Sequence, residues 1–215
     1  MMDLVDVWPV FGTRLFTPRL ELRVARDEDI PGLADAGIRG IHDAERMPFA
    51  HPWTDEPPET LRREMARYLW RERAAVAPGT WMLNFAVLDD GVPIGIQDLR
   101  AVDFTPLRTV STGSWLTRSR QGAGLGTEMR AAVLAFAFDH LGAEVAESAA
   151  IDWNEASLSV SRKLGYCENG VKRVTARPGT VEREVLLRLE PGDFMRPDWE
   201  LRVEGVEAAR AALVA

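Results

Sequence analysis

The stretch that most constrains this chain is Arg120-Gln121-Gly122-Ala123-Gly124-Leu125-Gly126-Thr127, which runs into the apolar segment Glu128 to Leu141. Three glycines at alternate positions make a turn with no Cβ to block close approach. The apolar segment reads as a helix whose first turn carries unpaired N–H groups and a partial positive charge. Just ahead, Gly113-Ser114-Trp115-Leu116-Thr117 reads as a strand. Strand, glycine turn and helix in succession form a seat for an anion such as a phosphate. The same succession also describes a tight corner that uses glycine only for packing.

Two nucleotide-binding patterns fail here. A P-loop needs Lys-Ser or Lys-Thr after its last glycine, whereas Gly126 is followed by Thr127-Glu128, and a glutamate repels a triphosphate. A dinucleotide fingerprint needs Gly-x-Gly-x-x-Gly near the front of a βαβ unit. This one is Gly-x-Gly-x-Gly, past the middle of the chain and after an antiparallel run.

Composition narrows the partners. A formal charge of −7 argues against a nucleic-acid binder and suits an amine-bearing partner better. The single cysteine, Cys167, excludes an internal disulfide and a thiolate metal cluster, and fits a reducing cytoplasm. The acidic start Met1-Met2-Asp3-Leu4-Val5-Asp6 has no apolar core of a secretory signal, and no run of about 18 apolar residues suggests a membrane span. The expectation is a soluble, cytoplasmic protein with no membrane partner and no metal.

Taken in order, an arm with Trp8, Pro9 and Phe11 precedes the alternating strand Leu20-Glu21-Leu22-Arg23-Val24. A helix follows from Asp27-Glu28-Asp29 toward Ile41, with Pro31 in its first turn. His42 to Pro58, with four prolines and Met47, Phe49 and Trp53 between them, reads as an aromatic, stiffened loop. Thr60 to Ala77 is an amphipathic helix. Trp81–Leu88 and Val92–Leu99 form a hairpin about Asp89-Asp90-Gly91. Asp103 to Arg108 is a loop, and Thr109 to Thr117 one further strand. Leu125, Met129, Ala132, Val133, Phe136 and Ala137 mark the apolar face of the next helix, with Arg130 and Asp139 off it. A strand Glu144 to Ala150, a helix Asn154 to Leu164 and a closing hairpin (Tyr166–Thr175, Thr180–Leu189) complete the domain. Beyond Pro191 lies an extension with a strand at Glu200–Val203 and an alanine-rich helix.

The sequence Gln121-x-x-Gly124-x-Gly126, followed by a helix, a strand, Asn154-x-x-Ser157 and Lys163-Leu164-Gly165-Tyr166, resembles the GNAT superfamily of N-acetyltransferases. Gly113-Ser114-Trp115-Leu116 and Val160-Ser161-Arg162-Lys163-Leu164-Gly165-Tyr166 are similar to its ribosomal-protein (RimJ/RimL) branch. His42-Asp43-Ala44-Glu45-Arg46-Met47-Pro48-Phe49 and Pro52-Trp53-Thr54 resemble an actinobacterial subgroup regarded as succinyl-CoA-dependent. The resemblance implies an α/β fold: a mixed, mostly antiparallel twisted sheet flanked by helices, spanning residues 1–190, with 191–215 as a packing or oligomerisation extension. It implies acyl transfer from acetyl-CoA or succinyl-CoA to a primary amine, namely a protein N-terminus, a lysine or a small molecule. The other readings are a catalytically weak CoA-binding regulatory protein and an oligomeric interaction protein, and a homo-oligomer is expected.

The same resemblance assigns roles. Amides of Gln121, Gly122, Ala123, Gly124, Leu125, Gly126 and Thr127 would hold the CoA pyrophosphate, and the backbones of Trp115, Leu116 and Thr117 the pantetheine, with Asn154 nearby. Many superfamily members have an acid tyrosine where this chain has Ser161, so the thiolate's proton is assigned to Ser157, which shares a helical face with Asn154 and Ser161. For the general base the carboxylates are Asp98, Asp103 and Glu147, of which Asp103 is taken, with a water chain and no single base as the alternative. His42, with Asp43 and Arg46, is a candidate base or a seat for a free carboxylate on the acyl group. Phe49, Trp53 and Trp81 are candidate walls of the substrate cleft.

Overall fold

The computed structural model describes residues 2–214; Met1 and Ala215, at the tips of the N-terminal arm and of the extension, lie outside the described residues. In chain order, α1 (Leu4–Val7) leads to β1 (Arg14–Phe16) and β2 (Glu21–Val24), then to helices α2 (Ile30–Ile38) and α3 (Pro58–Ala74). Next come β3 (Trp81–Asp89), β4 (Val92–Ala101), the single turn α4 (Phe104–Leu107), β5 (Thr109–Ser111) and β6 (Ser114–Leu116). The second half holds α5 (Leu125–Ala135), β7 (Val145–Ile151), α6 (Glu155–Lys163), β8 (Cys167–Arg177), β9 (Thr180–Leu189), β10 (Arg202–Glu204) and α7 (Val206–Leu213).

The strands form one mixed sheet in the order β10-β1-β2-β3-β4-β5-β7-β9-β8, with β6 paired to β4 beside β5. Every pairing is antiparallel except β5 with β7. The expected hairpin nucleates it: Asp90 (φ +49°) and Gly91 (φ +75°) are both left-handed, the backbone that two-residue turns need. Alternation along β3 then divides the core between the two faces of the sheet. Leu83, Phe85 and Val87 join the cluster that contains Ala132 and Val133 of α5 and Phe136 just after it, while Ala86 and Leu88 join Leu33, Leu61, Met65 and Leu69 of α2 and α3.

Thr109 to Thr117 is not one strand. It breaks at Thr112-Gly113, where the Thr112 N–H turns to the Glu147 carbonyl at 2.9 Å and the Gly113 carbonyl accepts from Asp98 N at 2.8 Å. Upstream of the break β5 runs parallel to β7, and downstream β6 keeps only β4 as a partner. The sheet therefore opens between β6 and β7. A Cβ on Gly113 would stand 2.6 Å from Asp98 Oδ2, so glycine is what lets the break close against β4.

The extension, expected as a packing or oligomerisation element, packs on the domain: β10 adds to the free edge of β1, and α7 buries Ala209 and Leu213 completely. One sequence expectation changes. Trp81, expected to wall the substrate cleft, is instead core. Its indole N–H donates to the Leu213 carbonyl at 3.1 Å and its ring packs on Phe104. A large aromatic at the start of a buried strand finds more apolar area inside than at a cleft mouth.

Candidate active site

The opening between β6 and β7 is a cleft of about 360 Å³. Its walls are β6 (Ser114, Trp115, Leu116), the glycine turn (Gln121, Gly126), α5 (Met129, Arg130), β7 (Ala149, Ala150) and the start of α6 (Asn154, Ser157, Val160). His42, Pro48 and Phe49 come from the proline-rich loop, and Trp153 and Glu184 complete the rim.

The glycine turn is built as an anion seat. Gly122 (φ +77°) and Gly124 (φ +83°) take left-handed backbone that a side chain resists, and Gly124 caps α5. Among the described residues, the N–H groups of Gly122, Ala123 and Gly124 make no backbone hydrogen bond, and those of Leu125 and Gly126 belong to the first helical turn, where none is available. Thr127 N–H bonds back to the Gly124 carbonyl at 3.1 Å. The Leu125 side chain is buried in the core. Gln121 holds the turn in place, its amide donating to the carbonyls of Ile41 (2.7 Å) and Leu116 (2.8 Å).

Glu128, which the sequence casts as repelling a phosphate, is neutralised. Arg19 donates to it from Nε at 2.6 Å and from its own backbone N–H at 3.1 Å, and Thr17 Oγ1 adds a third bond at 2.6 Å. Arg19 Nη1 also reaches the Ala123 carbonyl, so one arginine ties β2's approach to both helix and turn. Nothing in the local spacing marked a partner more than a hundred residues away.

The edge of β6 toward the cleft is free of strand partners. Thr117 N–H is spent on the Ile94 carbonyl at 2.8 Å, and Trp115 is the register partner of Ile96. By the alternation of antiparallel pairs, the backbone groups that face the cleft belong to Ser114 and Leu116. Of the three residues expected to offer backbone there, Leu116 does so; Trp115 contributes its ring, stacked on Trp53, and Thr117 turns away.

On α6, Asn154 caps the helix by accepting Ser157 N–H at 3.3 Å, and both residues line the cleft. Ser161 is fully buried and donates to the Ser157 carbonyl at 3.2 Å. Its partner is Arg130, expected off the apolar face of α5 but in fact 4% exposed. A charged residue within an apolar helix carried the signal; its serine partners on β6 and α6 were invisible to spacing.

The carboxylates separate clearly. Asp103 lies outside the cleft walls, exposed, at a left-handed corner (φ +49°) beside Thr80. It follows β4 at the far end from β6, so chain order alone does not bring it to the opening. Glu147 sits in β7 where its neighbours pair with β5 and β9. Asp98 is partly buried against Gly113, a cleft residue, and accepts its N–H at 2.7 Å. Burial pushes the Asp98 carboxyl up to about 6, against the pull of the Gly113 N–H and of the Arg130 and Arg100 charges.

The loop over the cleft is clamped. His42 donates Nδ1 to the Asp43 carbonyl and meets Thr54 Oγ1 with Nε2, each at 2.7 Å, so neither ring nitrogen is free for base chemistry. Its ring stands edge-on to Phe49, which stacks on Trp53. Arg46 lies over the Trp153 ring at 5.4 Å, outside the walls, and the Asp43 side chain bonds Glu45 N. Trp53 backs the wall rather than lining it. From the β8–β9 hairpin, Arg177 grips Asp55 with two bonds (2.7 and 2.9 Å) and the Ala44 carbonyl with a third.

No helix among the described residues is long and apolar enough to cross a membrane, and no cluster of potential metal ligands occurs among them. The free amides of the glycine turn, the turn's fixed distance from a cleft and the backbone edge of β6 suit a long ligand with a phosphate at one end and a reacting group at the other.

Comparison with known proteins agrees. Among solved structures, Mycobacterium smegmatis RimJ in complex with a CoA disulfide superposes with a TM-score of 0.69 at 19% identity, covering 95% of this chain and 98% of that one. RimL, a ribosomal L7/L12 α-N-protein acetyltransferase in complex with coenzyme A, gives 0.65 at 15% identity over 81% and 95%. A ribosomal-protein-serine acetyltransferase structure from Vibrio cholerae gives 0.62 at 18% identity over 83% and 97%. At these identities the likeness is one of fold. The family profile for the acetyltransferase (GNAT) domain matches residues 19–166, which contain the glycine turn, β6, Asp98 and α6, and the chain belongs to that family of acyl-CoA-dependent N-acetyltransferases.

Proposed function

We propose that this protein moves an acetyl group from acetyl-CoA to the α-amine of a polypeptide by direct attack of the amine on the thioester. The observation that carries the reading is the row of uncommitted amides from Gly122 to Gly126, continuous with a cleft whose β6 edge has no strand partner. The turn holds the pyrophosphate, the backbone groups of Ser114 and Leu116 hold the arm, and a two-substrate cleft supplies proximity.

Asp98 is the proton acceptor in this reading, reaching the amine past Gly113 or through one water. A carboxylate near 6 is matched to an α-amine of about 7.7–8.0 far better than to a lysine of about 10.4. Ser157, which lines the cleft, is the proton donor to sulfur in this reading. Acetyl is favoured over succinyl because a free carboxylate in the cleft needs an available cation. Both His42 nitrogens are engaged, Arg46 is stacked outside the walls, and Arg130 addresses the cleft only through the Ser114 hydroxyl.

The test is thiol release from acetyl-CoA and from succinyl-CoA over a panel of peptides with free α-amines, N-terminally blocked lysine peptides and polyamines. Turnover is expected with acetyl-CoA and free α-amines. CoA binding without turnover on any amine would sink the reading in favour of a regulatory CoA-binding protein.

A further inference from the structure

Four carboxylate or guanidinium side chains are buried in the described residues: Asp29, Glu128, Arg130 and Glu184. Three have an ion partner, Arg23 for Asp29, Arg19 for Glu128 and Lys172 for Glu184. Arg130 has none. Its Nη1 donates to Ser161 Oγ and its Nη2 to Ser114 Oγ, both at 3.0 Å, and its Nε is buried with no acceptor. A buried cation in contact only with hydroxyls is costly, and a negative charge brought against it offsets part of that cost.

The chain around it offers no such charge in contact. Asp98 acts on Arg130 through space without an ion-pair contact, and spends an oxygen on the Gly113 N–H. The Tyr166 hydroxyl is engaged with Thr112, Glu184 with Lys172, and the His42 nitrogens with Asp43 and Thr54. What Arg130 does face is the cleft, whose wall it shares with Ser114. The Ser161 hydroxyl already donates its hydrogen bond to the Ser157 carbonyl. Ser114 Oγ accepts from Arg130 and, among the described residues, donates to nothing, so a hydroxyl proton with a guanidinium behind it is offered at the wall.

We infer that Arg130, acting through the Ser114 hydroxyl, is the counter-charge for the sulfur anion that forms when the thioester breaks. The inference rests on the acyl-transfer reading. In that step the amine nitrogen bonds to the carbonyl carbon, the carbon–sulfur bond breaks with its electron pair on sulfur, and the amine's proton passes to Asp98. The sulfur is left as a thiolate beside Ser114 O–H, and it is protonated by Ser157 or by solvent as CoA leaves. Ser114 is the member of the β6 edge farthest along the chain from the phosphate seat, so it meets the ligand at the end opposite its phosphate. Charge-assisted hydrogen bonds of this kind are about twice as strong as neutral ones.

The experiment titrates the thiol of CoA bound to the full chain by its thiolate absorbance, with binding read separately by thermal shift. Bound CoA in the natural protein is expected to hold at least about ten times more thiolate than free CoA at the same pH, a shift of one unit or more. Arg130→Gln and Ser114→Ala should each abolish most of that excess, and Arg130→Lys should restore part of it; Ser114→Ala keeps the test alive if Arg130→Gln does not fold. Bound CoA that titrates like free CoA, with acyl transfer intact, overturns this inference alone. Failure to bind CoA at all overturns the acyl-transfer reading with it. Arg130→Gln that leaves the thiol titration unchanged but removes succinyl-CoA binding would also overturn it, by assigning Arg130 to an acyl carboxylate instead.

Discussion

Asp98 and Gly113 meet at the break in the sheet so closely that one carboxylate oxygen accepts the glycine's N–H at 2.7 Å and the other fills the space a Cβ would take. Because burial holds the folded-state pKa near 6, above the ordinary 3.8, the native protein binds this proton more tightly than the unfolded chain does. Stability should therefore fall as pH rises from about 4 to about 6, and above that the ionised carboxylate is a standing cost.

Asp98→Asn separates catalysis from stability, since an amide oxygen still accepts from Gly113. The variant should lose roughly 10²–10⁴-fold in kcat/KM and lose the rise of activity through pH 6. It should also be more stable than the natural protein at pH 8 and indistinguishable near pH 4, by thermal melts. Unchanged activity would remove Asp98 from the reaction.

At the other end of the cleft, Gly124 tests the phosphate seat. A branched side chain at φ +83° costs about 1–2 kcal/mol of backbone strain, and it crowds the amides that face the ligand. At a CoA concentration of about 100 Kd the natural protein gains roughly 2.7 kcal/mol, worth about 5–10 °C in Tm for a chain of this size. Gly124→Val should erase that gain and lower the unliganded Tm by only a few degrees. A retained ligand shift would count against the seat.

Much of this was legible in the sequence, and the parts that were not share a cause. The hairpin at Asp90-Gly91, the glycine turn and the helix after Asn154 are local: a few neighbouring residues decide the backbone, and the pattern states it. What spacing did not reveal was meeting across distance. Arg19 finds Glu128, Arg130 finds Ser114 and Ser161, and Trp81 finds Leu213, each through the packing of elements that are remote in the chain. The proposed base follows the same rule. Asp98 and Asp103 are five residues apart, yet the break at Gly113 sets one against a residue of the cleft wall and leaves the other at an exposed corner.

The Arg19–Glu128 pair yields a charge-compensation prediction. Arg19→Ala leaves a buried carboxylate in the first turn of α5, beside the amides that receive phosphate, and also strips Ala123 of its tether. CoA should bind about tenfold more weakly, the order of one uncompensated charge near a surface. Adding Glu128→Gln should recover most of that affinity. Calorimetric titration of the single and double variants reads both effects, and a double variant as weak as the single one would leave the tether, not the charge, as the cause.

The extension is expected to be indispensable to the fold whatever its role in assembly. Leu213 is wholly buried, and its carbonyl accepts both the Gly79 N–H at 2.9 Å and the Trp81 indole at 3.1 Å, while β10 covers the edge of β1. Leu213→Ala should cost about 2–5 kcal/mol by emptying a packed site. Ending the chain at Leu189 removes that side chain and Phe194, frees a buried indole N–H and bares a sheet edge. Each buried side chain is worth about 1.5–3 kcal/mol and an orphaned donor about 1–3. The sum reaches most of the roughly 5–15 kcal/mol that holds a domain together. Denaturant unfolding of Leu213→Ala and solubility of the truncated chain check this, with molar mass measured alongside. A truncated chain that melts like the full one would make the extension an appendage after all.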